Sequence, residues 1–490
     1  MKLTCIVAAA ALLAAGTACG AIRAVTPTAW NGKPDCWQMR RHAKKVKQAA
    51  AGDVKVVFIG DSITNGWEMK GRGSKLLKKH FSEGDWKMLN LGYSADRTEH
   101  VLWRLDHGEL DGYEAKCILL MIGTNNAGRF RTFLDEPPSD TILGIREILK
   151  KIQEKQPEAL VVLTAIFPRG ANDNDLIRLR NDVVNRELSN FCDGKTVFWC
   201  DFSDRFLDAK GDTKWVMEDR LHPGPKGYEI WYEEVKPYIE YALSDRKGTR
   251  PKNRFSKART AIDKAEDDLP ETMRPTTRIG TALSGGGAWW LDRLLQKRNQ
   301  IVDSKGEVDI VFLGDSITHN WESTGKEQLA ELAKTYSILD IGYGGDRTQH
   351  VIWRCQNGEL DGYKAKCIML MVGTNNAYPR NKPKDVVKGI RRILDVIAAK
   401  QPQAKVLLLP IFVRGNSALD AQRMANEEVN ADIRKFADGE KVIWVDFNAK
   451  WLDKNGDTKW IMPDRLHPNA AGYQIWTDAV LPYFKSICGK

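Results

Sequence analysis

Five short and almost wholly apolar runs punctuate the first half of the chain: VKVVFIG (54–60), KMLNLG (87–92), AKCILLMIG (115–123), ALVVLTAIF (159–167) and TVFWCDF (196–202). Stretches with apolar positions at helical spacing follow residues 72, 97, 140, 175 and 226. Strands that are apolar at nearly every position are buried on both faces. Their alternation with helices therefore predicts a parallel sheet covered by helices on either side. The second half repeats the pattern.

The repetition extends to the residues themselves. DRTEHVLWRLDHGELDGYEAKCILLMIGTNNA (96–127) matches DRTQHVIWRCQNGELDGYKAKCIMLMVGTNNA (346–377) without a gap at about three quarters of positions. LDAKGDTKWVMEDRLHPGPKGYEIW and LDKNGDTKWIMPDRLHPNAAGYQIW close the two halves. A period of about 250 residues is that of a duplicated domain rather than a solenoid. The expected organisation is a leader over 1–21, one domain over 29–243, a charged linker over 244–283 with a helix around 254–268, and a second domain over 284–490.

Composition narrows the class. With 42% hydrophobic and 28% charged residues, the 490-residue chain is ordinary for a soluble globular protein. The start, MKLTCIVAAAALLAAGTACGA, places a Lys before an apolar run and small residues, the form of a secretory signal, so export is expected. A rival reading makes Cys19 a lipid anchor, but Gly16 stands where that signal carries a larger aliphatic. The net charge of +10 is scattered, with no basic block interleaved with aromatics, so nucleic acid is not an expected partner. Cys117 and Cys367 sit in apolar strand runs as small hydrophobes, and Cys192 and Cys200 are close enough in sequence to pair after export. Neither CxxC nor a Cys/His cluster of zinc spacing occurs, so no metal and no other cofactor is expected.

Chemistry concentrates just past the strands. VVFIGDSIT carries Ser62 just past its apolar run, and VFLGDSIT carries Ser316. A serine at that place reads by itself as a helix N-cap. Other blocks change that reading: NLGYSADRT (90–98) and DIGYGGDRT (340–348), GTNN with Asn125 or Asn375, and DRLHP with Asp219 and His222 or Asp464 and His467. A doubly wound sheet brings all of them to one edge, where ligands collect. Acyl transfer needs an activated hydroxyl, a base, a carboxylate to hold that base, and donors for a developing oxyanion. An Asp three residues before a His lets one tight loop hold the ring's Nδ1 while Nε2 faces the serine. Backbone amides at Ser62 and at positions like Gly345, with the Asn125 or Asn375 amide, are candidate oxyanion donors. His100 and His350 sit at helical spacing beside apolar residues and read as structural, and Asp96 and Asp346 as ties for the oxyanion loop. Trp67 and Trp321 follow the nucleophile closely and read equally as core packing or as pocket walls. Arg169 and Arg414 are candidates to meet an anionic or sugar substrate, against the plainer reading of a surface ion pair.

Ser in GDS, Gly in the NxGxxGD block, Asn in GTNN and Asp with His in DxLHP resemble the SGNH branch of the GDSL esterase and lipase superfamily. HVxWRxxxGEL and IFPRG (166–170) look closest to its platelet-activating-factor acetylhydrolase-like members. The resemblance covers nearly all of each half. It implies two tandem flavodoxin-like three-layer α/β/α domains with parallel five-stranded sheets, and metal-free ester hydrolysis through a serine acyl-enzyme. One position departs from the family. The oxyanion glycine corresponds to Gly345 in the second half but to Ala95 in the first, and a positive φ there would disfavour a β-carbon.

The expected function is a secreted serine esterase acting on short-acyl, acetyl-type esters of a small molecule or glycan, with a site in each half. The enzymatic rival is a lysophospholipase or acyl thioesterase. A rival of another class keeps the first domain as a non-catalytic glycan-binding or structural module.

Overall fold

The computed structural model describes residues 21–30, 36–82, 86–128, 136–279, 288–377 and 380–489. The expected leader up to Gly20, with Cys5 and Cys19, lies outside the described residues. In the first half the strands are β1 (Val56–Gly60), β2 (Met88–Gly92), β3 (Cys117–Met121), β4 (Leu160–Thr164) and β5 (Val197–Cys200). All five apolar runs thus form strands. Around them lie α1 (Trp37–Ala50), α2 (Ser62–Asn65), α3 (Ser74–Leu77), α4 (Thr98–Arg104), α5 (Pro138–Lys155), α6 (Leu176–Leu188) and α7 (Pro225–Leu243). A short α8 (Ala261–Glu266) is the helix of the connecting stretch. The second half contains β6 (Ile310–Gly314), β7 (Ile338–Gly342), β8 (Cys367–Met371), β9 (Lys405–Leu408) and β10 (Val442–Trp444). Its helices are α9 (Ala288–Asp303), α10 (Ser316–His319), α11 (Lys326–Ala333), α12 (Thr348–Arg354), α13 (Pro383–Lys400), α14 (Ala421–Ile433) and α15 (Ala470–Cys488).

Both sheets are five-stranded, ordered β2-β1-β3-β4-β5 and β7-β6-β8-β9-β10, with parallel pairing throughout. This is the flavodoxin-like order, whose switch point lies where the order reverses beside β1 or β6. Successive strand residues feed opposite layers. Val57 and Ile59 enter one apolar cluster while Val56 and Phe58 enter another. In the second half Val311 and Leu313 join the first of these clusters, and Ile310 and Phe312 form a third. The halves therefore share one continuous apolar layer.

The segments preceding each domain are straps rather than free linkers. Thr98 donates its hydroxyl to Ala24 O at 2.8 Å, and Thr348 donates to Thr272 O at 2.9 Å. Thr28 N–H bonds Glu99 O and Thr276 N–H bonds Gln349 O, at 3.1 and 3.3 Å.

Between the halves, α5 packs on α9 and on the turn 355–359. Asp140 holds Arg298 with two bonds of 2.8 and 3.0 Å, both side chains buried, and Arg146 bonds Asp292 at 2.6 Å. Removing one partner of a buried pair strands the other charge, at a cost of about 3–5 kcal/mol. Asp140→Ala should therefore lower the urea midpoint strongly. Asp140→Leu with Arg298→Met should recover most of the loss, since an apolar pair of similar size buries no charge. An Asp140→Ala midpoint equal to the parent's would show that the pair contributes nothing.

Candidate active site

Each site starts at a strand end that only glycine fits. A β-carbon on Gly60 would lie 2.2 Å from Thr64 Oγ1 and 2.3 Å from Met121 O. Gly314 meets the same crowding from Thr318 and Met371. Past this crossing the chain turns into a helix whose cap is the aspartate. Asp61 Oδ1 accepts from Ile63 N–H at 2.9 Å, and Asp315 from Ile317 N–H at 3.0 Å. The N-cap reading of the serine is thereby corrected: capping falls to its neighbour, and the serine hydroxyl points elsewhere.

It points at histidine. Ser62 Oγ lies 2.9 Å from His222 Nε2, and Ser316 Oγ 2.9 Å from His467 Nε2. The other ring nitrogen faces the expected carboxylate, Nδ1 to Asp219 Oδ2 at 2.7 Å and to Asp464 Oδ2 at 2.6 Å. The remaining carboxylate oxygen accepts the histidine's own backbone N–H at 2.7 Å in both halves. That double hold sets the ring in one orientation. Burial works against ionised Asp219 and Asp464, but hydrogen bonds from the histidine amide and ring outweigh it and keep both below the usual carboxylate range. With Nδ1–H on the carboxylate, Nε2 is left to accept a proton from the serine hydroxyl. Among the described residues no group of three or more His, Cys, Asp or Glu is placed to hold a metal ion.

Past the end of the adjacent strand, β2 or β7, is a tight turn, closed by Asp96 N–H to Tyr93 O and by Asp346 N–H to Tyr343 O, each 3.1 Å. Its third residue is left-handed in both halves, φ 69° at Ala95 and 72° at Gly345. The amide is thus presented the same way, and alanine adopts a conformation suited to glycine. Asn125 and Asn375 each donate one Nδ2–H to the next carbonyl, Asp96 O or Asp346 O, at 2.9 Å. Asn126 and Asn376 tie the same loop to the amides of Thr98 and Thr348. Beneath the turn, Arg104 binds Asp96 at 2.9 and 2.7 Å and also pairs with Glu109; Arg354 binds Asp346 once, at 2.9 Å, and pairs with Glu359. Asp96 and Asp346 are therefore anchors of the turn.

Other sequence candidates separate. Trp67 and Trp321 are fully buried among Phe58, Tyr228 and Trp231 or Phe312, Tyr473 and Trp476, so the pocket-wall expectation is corrected: they are core. The single turn of α2 or α10 swings them under the sheet edge, away from the serine. Arg169, only 8% exposed, makes no ion pair within 4.0 Å among the described residues. It donates to Thr124 Oγ1 at 3.2 Å, next to Asn125. Arg414 bonds Thr374 Oγ1 at 3.0 Å and is half-buried. His100 and His350 accept the amides of Arg97 and Arg347 through Nδ1 at 3.1 and 3.0 Å and close helix caps.

Three pairs at the site were missed. Trp37 and Trp289 are 42% and 37% exposed. Trp37 stands edge-on to Tyr93 of the turn, and the Trp289 ring lies 3.8 Å from where a Gly344 β-carbon would sit. Asn65 and His319 are the last residues of α2 and α10. Burial lowers His319 to about 4, with Arg293 adding to the effect. Trp30 and Arg278 come from the straps. Aligning CWQMRR with AWWLDR reveals the first pair. Nothing local marks the strap residues.

Fold and site together define an ester hydrolase of the SGNH class. The model of the GDSL-like lipase/acylhydrolase family matches residues 58–230 and again 312–475, and the chain belongs to that family as a tandem duplication. The human platelet-activating factor acetylhydrolase IB subunit alpha2 is 39% identical over 188 residues, spanning 37% of this chain and 79% of that protein. The rat subunit is 34% identical over the same length. Among solved structures, an acetyl xylan esterase matches at 19% identity and a TM-score of 0.32, over 36% of this chain and 99% of that one.

Two outcomes follow from this geometry. A left-handed β-carbon costs about 1–2 kcal/mol, so Ala95→Gly should stabilise the chain by about 1 kcal/mol in chemical denaturation, with kcat nearly unchanged because the amide already has the Gly345 orientation. Gly345→Ala should cost more than this, since its β-carbon would fall 2.6 Å from Arg278 Nη1.

The second concerns the buried caps. Burial pushes Asp61 and Asp315 up to about 7, opposed by the amide each caps and by Arg169 or Arg414. Below about pH 4 these carboxyls are neutral in folded and unfolded chains alike. Between about pH 4 and pH 7 the unfolded chain ionises first and the folded state loses relative stability. Asn keeps the cap without the charge. Relative to the parent, Asp61→Asn with Asp315→Asn should therefore gain Tm steadily across that window and level off above it. A pH-independent difference would contradict this.

Proposed function

We propose that the protein is an exported serine esterase that removes short acyl groups, acetyl in the first instance, from carbohydrate, with a working site in each half. One observation carries this reading: the same Ser–His–Asp chain, at 2.9 Å from Oγ to Nε2, and the same left-handed turn leave the ends of adjacent strands in both halves. Ser62 and Ser316 are the nucleophiles. His222 and His467 take the hydroxyl proton and return it to the leaving alcohol, while Asp219 and Asp464 steady the imidazolium. The amides of Ser62 and Ala95 with Asn125, or of Ser316 and Gly345 with Asn375, receive the oxyanion. Water then releases the acyl group by the same path. Acetyl is supported by the acetylhydrolase relatives and carbohydrate by Trp37 and Trp289, exposed aromatic faces beside each turn on which a sugar ring can stack. Domain one as a non-catalytic module is the weaker reading, because its serine and histidine stand as close as those of domain two.

Ser62→Ala with Ser316→Ala should abolish fluorophosphonate labelling and lower kcat by on the order of 10⁴ to 10⁶, each single change silencing one half. On the parent chain acetyl esters should outrun octanoyl esters by at least about tenfold. Persistent labelling of the double variant removes the serine assignment, and faster octanoyl turnover favours the lysophospholipase alternative.

A further inference from the structure

The two sites differ in charge at one place. In the second half Arg278 reaches from the strap onto the oxyanion turn, where it donates through Nη1 to Gly344 O and its guanidinium lies against the Gly345 Cα. It stacks over the exposed Trp289 ring at 5.6 Å and is half-buried. Among the described residues no carboxylate stands within 4.0 Å of it, and the single hydrogen bond it makes to them leaves most of the guanidinium's donors unengaged. In the first half the same strap position, two residues beyond the matching Thr28 and Thr276 amide bonds, is Trp30. Trp30 stacks on His100 at 4.4 Å and donates to Asp96 Oδ1, so the strap brings no cation to that turn; the cations there are Arg104 beneath it and Arg41 over the Tyr93 ring, both paired with carboxylates, as their counterparts Arg354 and Arg293 are in the second half. Trp290 takes over the bond to the aspartate in the second half, at 2.9 Å to Asp346 Oδ1. That replacement frees the strap position for arginine. The Gly–Ala difference follows from the same exchange, because a β-carbon at 345 would strike the guanidinium. Arg414, more open than Arg169, adds a second cation near this site.

We propose that the second half selects esters whose alcohol part bears an anionic group, bound by Arg278 beside the oxyanion turn, while the first half takes uncharged ones. The inference rests on Ser62 and Ser316 being the nucleophiles of the two sites. A planar fork of donors suits a carboxylate or a phosphate, and a position beside the turn places the anion on the bound alcohol rather than on the acyl group.

The test uses the full chain with one site silenced and two acetyl esters that differ in charge, 4-acetoxybenzoate and its methyl ester. In the Ser62→Ala protein, where only the second half works, the kcat/KM ratio of charged to neutral ester should exceed that of the Ser316→Ala protein by about tenfold. High salt should shrink the difference. Adding Arg278→Ala to Ser62→Ala should bring the ratio down to the Ser316→Ala value, chiefly through KM for the charged ester, and Arg278→Lys should retain part of it. 4-Acetoxyphenyl phosphate, run alongside, tells which anion is preferred. Equal ratios in the two silenced proteins, or a ratio untouched by Arg278→Ala, overturns the proposal. A merely structural arginine would lower both esters together and leave the ratio in place. If the Ser62→Ala, Ser316→Ala protein still turns over both esters, the nucleophile assignment has failed instead. Arg278→Ala in the otherwise unaltered chain then reads the charge preference by the same ratio.

Discussion

A guanidinium sealed beneath the turn, Arg104 in the first half and Arg354 in the second, is the constraint on which both sites depend. It lies with two buried carboxylates, one on the turn itself and one five residues further along its own chain, and with a buried tyrosine whose hydroxyl completes the second carboxylate. Charges taken out of water hold together only when their geometry is good and every lone pair has a partner. Here the second oxygen of Asp96 or Asp346 takes an indole N–H, and Arg104 also reaches Leu91 O at the end of β2. The turn is therefore fixed from below in both halves, whatever residue stands at its left-handed position. The backbone carbonyl of the same aspartate then accepts the Asn125 or Asn375 amide. One cation thus sets both proposed oxyanion donors that lie outside the helix of the proposed nucleophile.

The fold was legible because burial on both faces removes polar residues from a strand, which leaves runs such as VVFIG and CILLM with little alternative. The Ser, His, Asp and Asn of the sites were legible for a related reason: their roles depend on local spacing, three residues from Asp to His, or on a fixed place just past a strand. Sequence failed where the deciding neighbour is distant. Trp67 is close to Ser62 in the chain, yet the one-turn helix between them sends it into an aromatic core built mostly by α7. Arg169 looks like a surface cation and is instead buried against Thr124. Residues 244–283 have the charge and proline of a linker, yet their last part is a strap held by backbone bonds to α12 that brings Arg278 to the second site. No periodicity announces such a strap, since its partners are carbonyls and hydroxyls of another element.

The duplicated halves keep the chemistry-bearing side chains of the site and differ in the residues around them. Ser, His, Asp and Asn are the same in both. The strap residue, the last residue of α2 or α10 and the left-handed residue differ together as Trp30, Asn65 and Ala95 against Arg278, His319 and Gly345. Two of the exchanges are tied to a neighbour: the guanidinium excludes a β-carbon at 345, and the indole that moves from Trp30 to Trp290 keeps the bond beneath the turn. Such linkage explains why one residue of the set is not exchanged alone.

The way the halves meet is specific to this pair of surfaces. The first half offers α5 and the second offers α9 with the turn 355–359, so different surfaces are in contact and the pairing is heterologous. A heterologous contact between like domains can in principle be continued by a third copy, because each domain also carries the surface its partner used. The corresponding face of α13 does not allow it. Where α5 buries Ser139, Leu143 and Arg146, α13 presents exposed Lys384, Lys388 and Arg391. The other surface has changed as well: Asp292 and Arg298, which pair with Arg146 and Asp140, correspond on α1 to Arg40 and Val46. Continuing the array would bury lysines without carboxylates to meet them, and the desolvation penalty of unpaired charge makes that association unfavourable. The buried pairs that hold the two domains together are thus specific to this one junction.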